Sequence, residues 1–516
     1  MGQQQGGDEA LSTAPPSRSW SILGGSLANA LHTCTSGRPR PFTVSNNSLR
    51  SALQQLECYF TWPLLKDDVD LNDLEEKIGY QIEFLIKARI RSYNLLSYVC
   101  HLKNSNEEAL RTLQKAEEEV KKYHPDEIAR RSLVTWGNYA WIYYHMERYE
   151  EAQTYVSKVE NSCKKLSSTP HWKAQLPEIY AEEGWALIKF GEKHYERAKI
   201  CFENALQNEP NNPEFNAGYA IAMYRLQYHF KSQRQSLELL KRAVELDPEN
   251  TSVVALLAVK LQDLRQTDEG ERYIEEAMKK TPDHPDVLRY AAKFYRRKGE
   301  LDKAVKILKK ALTVTPNSAT LLHQLGLCYR SELIQLKKAE IHPPQEQVDR
   351  LIELCIFHFK SAIDKKTTFF HSYMDLANMY AEGKRYKEAE DTFQKAFQVN
   401  NLSNNDKQQF YYCYGNFKLF HVKKESEAIE HYIDVLKIKE DSFYSSKCKN
   451  VLEKLLEKRI QRGSRDAADF GRLGLVHNLS GEKHQAIKRY EEALALHPDN
   501  EDYLSALCEL RLSISN

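Results

Sequence analysis

Apolar residues recur along most of this chain at intervals of three and four, with charged and polar residues between them, which is the period of amphipathic helices rather than of strands. From about residue 51 onward, Gly and Pro fall at regularly spaced boundaries instead of inside the periodic segments. The longest apolar run, Val253 to Val259, is far short of the roughly 18 residues a membrane-spanning helix needs. Residues 1–48 differ. Gln3 to Gln5, Gly6, Gly7, Pro15, Pro16, Gly24, Gly25 and Gly37 punctuate a Ser/Thr-rich stretch with little periodicity, which predicts a disordered extension. No apolar targeting segment follows Met1, and Gly6 stands where N-myristoylation requires Ser or Thr, so the expected location is the cytoplasm.

The helical part repeats. With Ala292 at position 8 of a 34-residue unit, Ala304 falls at 20, Leu308 at 24, Ala311 at 27 and Pro316 at 32, the spacing of a tetratricopeptide repeat. Ala258, Gly270, Ile274, Ala277 and Pro282 fit the unit before it, and Gly474, Ala486, Tyr490, Ala493 and Pro498 fit one near the C-terminus. Paired helices approach closely at the small positions, and the Pro at 32 ends the second helix. Counting gapped versions, about ten helix pairs lie between roughly 90 and 500. The predicted fold is all-α: a tetratricopeptide-repeat superhelical solenoid over residues 49–516 with a central basic groove or channel. An insertion at about 331–350, with Pro343 and Pro344, and an irregular connection at about 437–466 interrupt the array, and either could close an open horseshoe into a channel.

Charge changes this picture locally rather than globally. Lys+Arg 73 against Asp+Glu 72 leaves +1 over 516 residues, so nucleic-acid binding cannot be inferred from the overall balance. Between Asp286 and Lys310, however, nine Lys/Arg face three Asp/Glu, a local +6. Positions 2, 5, 6, 9, 12 and 13 of each first helix face inward in such arrays, which places Asp286, Arg289, Tyr290, Lys293, Arg296 and Arg297 in the groove. His323, Gln324 and Arg330 follow in the next unit, with Arg225 and Tyr228, and Trp185 and Lys189, in earlier ones. Cations neutralise phosphates and flat rings stack unpaired bases at about 1–3 kcal/mol each, so the pattern suits a single-stranded phosphodiester chain better than a duplex. Lys303, Lys306, Lys309 and Lys310 fall on the second helix and read as a solvated face.

These residues carry a resemblance. RSLVTWGNYAWIYYHM at 131–146, CYFTW at 58–62, GWALIKFG at 184–191, RYAAKFYRRKG at 289–299 and HQLGLCYR at 323–330 closely resemble the interferon-induced proteins with tetratricopeptide repeats, over about residue 49 to the C-terminus. The resemblance implies an innate antiviral effector that binds foreign single-stranded RNA by a 5′-triphosphate or an incompletely methylated cap and sequesters it from translation. It implies that Lys77, Gln81, Lys189, Tyr195 and Arg225 hold the 5′-phosphates, and that Arg289, Tyr290, Lys293, Arg296, His323 and Gln324 meet the strand. A cap would stack on Trp185 near Leu85, Glu214, Ile221 and Asn250. Two positions depart from the cap-binding members: Lys87 stands where they have a small hydroxyl residue, and Ser252 where they have an aromatic. Association with itself or with related members through the C-terminal repeats, about 470–512, is also implied.

Two rival readings stay open. One is a protein-protein scaffold with peptide in the groove; against its carboxylate-clamp form, Asn94 and Asn138 are followed by Glu178 and Glu182 where cations belong. The other is an enzyme. The chain has no HExxH, no Walker A loop, no GxGxxG after a strand and no GxSxG. His323 has no paired carboxylate or metal constellation in the sequence, and the ten scattered cysteines form no CxxC pair, so neither catalysis, a cofactor nor a metal is expected. Lys77 has a bland reading beside the implied one, an i,i+4 pair with Asp73 on an acidic helix.

Overall fold

The computed structural model describes residues 43–166, 176–226, 233–462 and 466–515. Residues 1–42 of the expected extension, and Tyr228, lie outside these. The helix Thr43–Leu53 runs through the boundary expected at 48. Among the described residues there are twenty-five α-helices and no strand. The repeat template holds at the packing level: Ala304, Leu308 and Ala311 on Leu301–Val314 are fully buried, and Ala292 on Pro285–Lys298 is 1% exposed. Nine cysteines in the described residues are free thiols.

The small residues do specific work next to the site. Phe202, on Tyr195–Asn208, is wedged between Pro177–Phe190 and Pro213–Leu226. A Cβ at Gly184 would stand 2.8 Å from its ring, and one at Gly218 only 2.2 Å away. Those two glycines let successive first helices close onto one aromatic ring, which fixes the spacing of the side chains they send into the groove.

Both interruptions are helical. Residues 331–350 lengthen two helices, Ala319–Ala339 and Gln345–Lys365, to 21 residues each against 14 for Pro285–Lys298, with Pro343 and Pro344 in the connection between them. The connection expected to be irregular at 437–466 is mostly one 19-residue helix, Phe443–Gln461. Cys448, Leu452 and Leu456 are fully buried along one face of it. Their four-residue spacing is a helical stripe that the surrounding Lys and Glu hid in the sequence.

What ties the concave side together is neither interruption but segment 66–87. Its helix, Leu71–Phe84, is started by the Asp70 carboxylate, which accepts from the backbone N–H of Asn72 and Asp73. From there the segment reaches five parts of the array. His194 Nε2 lies 3.0 Å from Asp68, Lys87 3.1 Å from Asp247, and the Phe84 ring 5.8 Å from His284. Lys366 Nζ lies 2.9 Å from Asp73, and the Asn401 amide donates to the Asp67 carbonyl at 2.6 Å.

Candidate nucleic-acid interface

Under segment 66–87 lies a cavity of about 800 Å³. Asp73, Lys77, Gln81 and Leu85, four residues apart on one helix face, form one wall. Lys189, Tyr195, Arg225 and Arg289 form the opposite wall, so the five residues expected at the 5′-phosphates all line one space. Lys189 and Arg225 occupy the same repeat position, 13, in consecutive first helices, at C-terminal turns where the peptide dipoles favour a cation. Arg225 Nη1 donates to the Ile188 carbonyl at 3.0 Å and to the Tyr195 hydroxyl at 3.3 Å, which locks the guanidinium across both repeats.

Pairing separates these cations into two kinds. Lys77 does bond Asp73 at 2.7 Å as its bland reading expects, but the same carboxylate oxygen also takes Lys366, so one negative charge is shared between two ammonium groups. The Lys77 side chain is 43% exposed, and the water it meets is that of the cavity. Confinement there, with Lys366 and Arg289 adding to it, lowers its pKa despite Asp73. Arg289 is paired with Asp286 at 3.0 Å and lies over the Tyr290 ring at 4.1 Å. Against the cost of burial, Arg289 and Lys189 hold Asp286 down at about 2. Lys189 and Arg225 have no ion pair among the described residues. Burial, reinforced by Arg225, Lys77 and Arg91 and only partly opposed by Asp286, pulls Lys189 down to about 7.

Beyond the cavity the strand residues continue along the same face. Among the described residues Lys293 Nζ has one hydrogen bond, to the Tyr224 hydroxyl at 3.5 Å, and burial together with Arg297 brings it down to about 8. Arg296 Nε and Gln324 Oε1 are buried without hydrogen-bond partners. His323 corrects the sequence reading, which gave it no carboxylate: Asp375 lies 2.8 Å from its Nε2 and 2.6 Å from Arg330 Nη1. Asp375 sits at position 6 of its own repeat, an inward position, so the template could have found it. It fixes the imidazole and offsets the charge of Arg330.

The local +6 also needs correction. Asp263, Glu271, Glu275 and Asp283, all from the preceding repeat, pair with Arg297, Lys298, Lys303 and Lys310. Counting along the sequence missed them because their contacts run across repeats. Only Lys293 and Arg296, with exposed Lys306 and Lys309, remain without an ion pair among the described residues of that stretch.

The residues expected at a cap are not gathered as the others are. Leu85 lines the cavity, whereas Trp185, Glu214, Ile221 and Asn250 do not. Trp185 lies under the Arg91 guanidinium, and Glu214 is paired with that same arginine. Ile221 packs into the core, and the Asn250 side chain caps Thr251–Asp263. Ser252 is half-buried, with its hydroxyl oxygen covered and unpartnered among the described residues, and Lys87, 83% exposed, points to Asp247. Sequence reasoning missed Arg91, Lys366 and Asp375 as partners; Arg91 holds inward position 2 of its repeat, but nothing local says which ring it reaches.

The clamp positions of a peptide scaffold are spent internally. Asn94 and Asn138 are fully buried; Asn94 bonds Glu182 and Thr135, and Asn138 accepts from the Tyr59 N–H. Among the described residues, Glu453, His477 and Glu482 are the one cluster with metal-ligand spacing, and Lys449 already pairs with both carboxylates. No helix of the described residues is long and apolar enough to cross a membrane.

Helix pairs, close-packed small residues and a cavity lined by cations together define a tetratricopeptide-repeat solenoid, and two tetratricopeptide-repeat family models match it, one at residues 261–326 and the other at 133–162 and 370–401. The chain belongs, within that class, to the interferon-induced proteins with tetratricopeptide repeats. It is 47% identical over 466 residues to the antiviral innate immune response effector IFIT1 of Macaca fascicularis, covering 89% of this chain and 98% of the relative. It also matches two solved structures of the human IFIT1 dimer at 46% identity, covering 87% of this chain and 100% of each. The dimer with m7Gppp-AAAA gives a TM-score of 0.81, and the dimer with PPP-AAAA 0.79.

Proposed function

We propose that this protein is an innate antiviral effector that takes the 5′ end of single-stranded RNA into the cavity between segment 66–87 and the repeat array, and so withholds foreign messages from translation in the cytoplasm. The observation that carries this is that Lys189 and Arg225 line one partly enclosed space and have no ion pair among the described residues. Fixed cations held away from bulk water and left without carboxylates are most favourably completed by a compact polyanion, and a 5′-triphosphate supplies about three or four negative charges at one point. Gln81 and the Tyr195 hydroxyl add neutral hydrogen-bonding groups to the same walls.

Arg289 in the cavity wall and, past it, Lys293, Arg296 and His323 carry the following nucleotides through backbone contacts that do not depend on sequence. The work is binding, not catalysis: the groove supplies donors and stacking faces, with His323 already committed to Asp375. Self-association through the last helices fits the human IFIT1 dimers and the exposed Leu504, at 43%, and Leu512, at 67%, on Glu501–Ser515. A gel-shift titration with one short RNA bearing a triphosphate or a hydroxyl at its 5′ end tests the reading: strong preference for the triphosphate is expected, and equal binding of both ends rejects it.

A further inference from the structure

Trp185 belongs to the wall of first helices that forms the groove, yet the cavity stops short of it. Arg91, on Arg89–Leu102, covers that indole: its guanidinium lies over the ring with its carbon 4.7 Å from the centroid. The same guanidinium donates through Nη1 to Glu214, and Phe202 meets the indole edge-on at 5.3 Å. The position of the arginine is set from behind, where the Tyr59 hydroxyl donates to the Arg91 carbonyl at 3.2 Å. The Arg91 side chain is only 20% exposed, so this is an internal fixture and not a surface side chain resting on a ring.

A guanidinium and a cap guanine ask for the same two things. Each is flat, and the methylated cap base is cationic like Arg, so each gains from the face of an indole. Each also presents adjacent N–H groups along one edge, which a carboxylate accepts side by side. Trp185 and Glu214 offer that face and that carboxylate, and Arg91 takes both. We infer that Arg91 is a specificity-determining residue: it fills the place between Trp185 and Glu214 that a 5′ guanosine cap would need, so the site accepts a triphosphate end and discriminates against a capped one. This rests on the cavity being the 5′-end site. A cap entering the site has to displace the guanidinium from the ring and take the Glu214 carboxylate from it, leaving a largely covered arginine with Glu182 as its remaining carboxylate neighbour, while a triphosphate reaches Lys189 and Arg225 without disturbing it.

The test is a fluorescence-anisotropy titration of the full chain with one labelled oligoribonucleotide carrying a 5′-triphosphate, a cap without ribose methylation, or a hydroxyl. The unaltered protein is expected to bind the triphosphate about tenfold or more tighter than the cap. In Arg91→Ala the capped RNA should gain about tenfold while the triphosphate stays within about threefold. Adding Trp185→Ala to that variant should remove the gain. Should Arg91→Ala fail to fold by circular dichroism, Arg91→Gln, which keeps more of the stem than Ala but is shorter than Arg and carries neither the guanidinium nor the charge, is expected to move the capped RNA in the same direction. Capped affinity that stays level or falls in the folded variant, with triphosphate binding intact, overturns the inference, as does an unaltered protein that holds cap and triphosphate equally. Equal binding of all three ends, or of none, instead overturns the 5′-end reading beneath it.

Discussion

The two helices of the pair at 285–314 carry the same kind of charge to opposite fates. On Pro285–Lys298, Lys293 and Arg296 face the groove with no ion pair among the described residues, and burial lowers the pKa of both. On Leu301–Val314, Lys306 and Lys309 are exposed, while Lys310 is tied to Asp283 at 3.0 Å and Lys303 lies 3.6 Å over the Tyr295 ring. Water and salt solvate the second set, so an added anion gains little there. Confinement denies the first set that solvation, and an anion that restores it is bound strongly. Counting cations is therefore a poor guide to binding; what matters is which ones are both enclosed and unpaired.

The sharpest way to break this contrast is Arg225→Glu. A like charge against phosphate in the enclosed wall should lower affinity for triphosphate ends about 100-fold or more, with hydroxyl-ended RNA much less affected, in parallel gel shifts. Loss of both ends to the same degree would place Arg225 on a general path instead. Next in size is pH. In the free protein Lys189 gives up its proton at about 7, and phosphate contact raises that value, so binding takes up a proton. Affinity should be full below pH 7 and fall as pH rises above it, by up to about tenfold per unit, with Lys293 at about 8 adding to the slope. A flat anisotropy profile from pH 6 to 9 would mean the ammonium stays away from the phosphates.

Lys293→Ala should act more evenly, weakening every 5′ end by about three- to tenfold and lowering the salt dependence by about one ion. A change confined to triphosphate ends would move Lys293 into the end site. The smallest effect belongs to the convex face, where Lys306→Ala and Lys309→Ala should stay within about twofold of the unaltered protein in the same titration. A larger loss there would dissolve the contrast between the faces.

What the sequence made legible was whatever is written locally. Ala292, Ala304 and Ala311 repeat because each helix pair meets its neighbour in the same way, and Lys189 and Arg225 share position 13 for the same reason. Illegible were contacts whose partners are far apart in the chain. Asp73 and Lys366 are separated by 293 positions, and no periodicity links them. Asp375 and Arg91 stood at inward positions, but their partners, His323 and Trp185, lie in other repeats. The same limit produced the +6 between Asp286 and Lys310, which acids from the preceding repeat reduce.

The ties from Asp73 to Lys366 and from Asp67 to Asn401 have a kinetic side. They strap segment 66–87 across the array, so a strand lying beneath it is threaded rather than laid on. A threaded strand departs by backing out along its own length, and its residence time then grows with the length engaged even where each further contact is weak. If RNA enters as proposed, entry likewise demands a free terminus: a closed RNA circle, or an end locked in a duplex, would have nothing to pass under the strap.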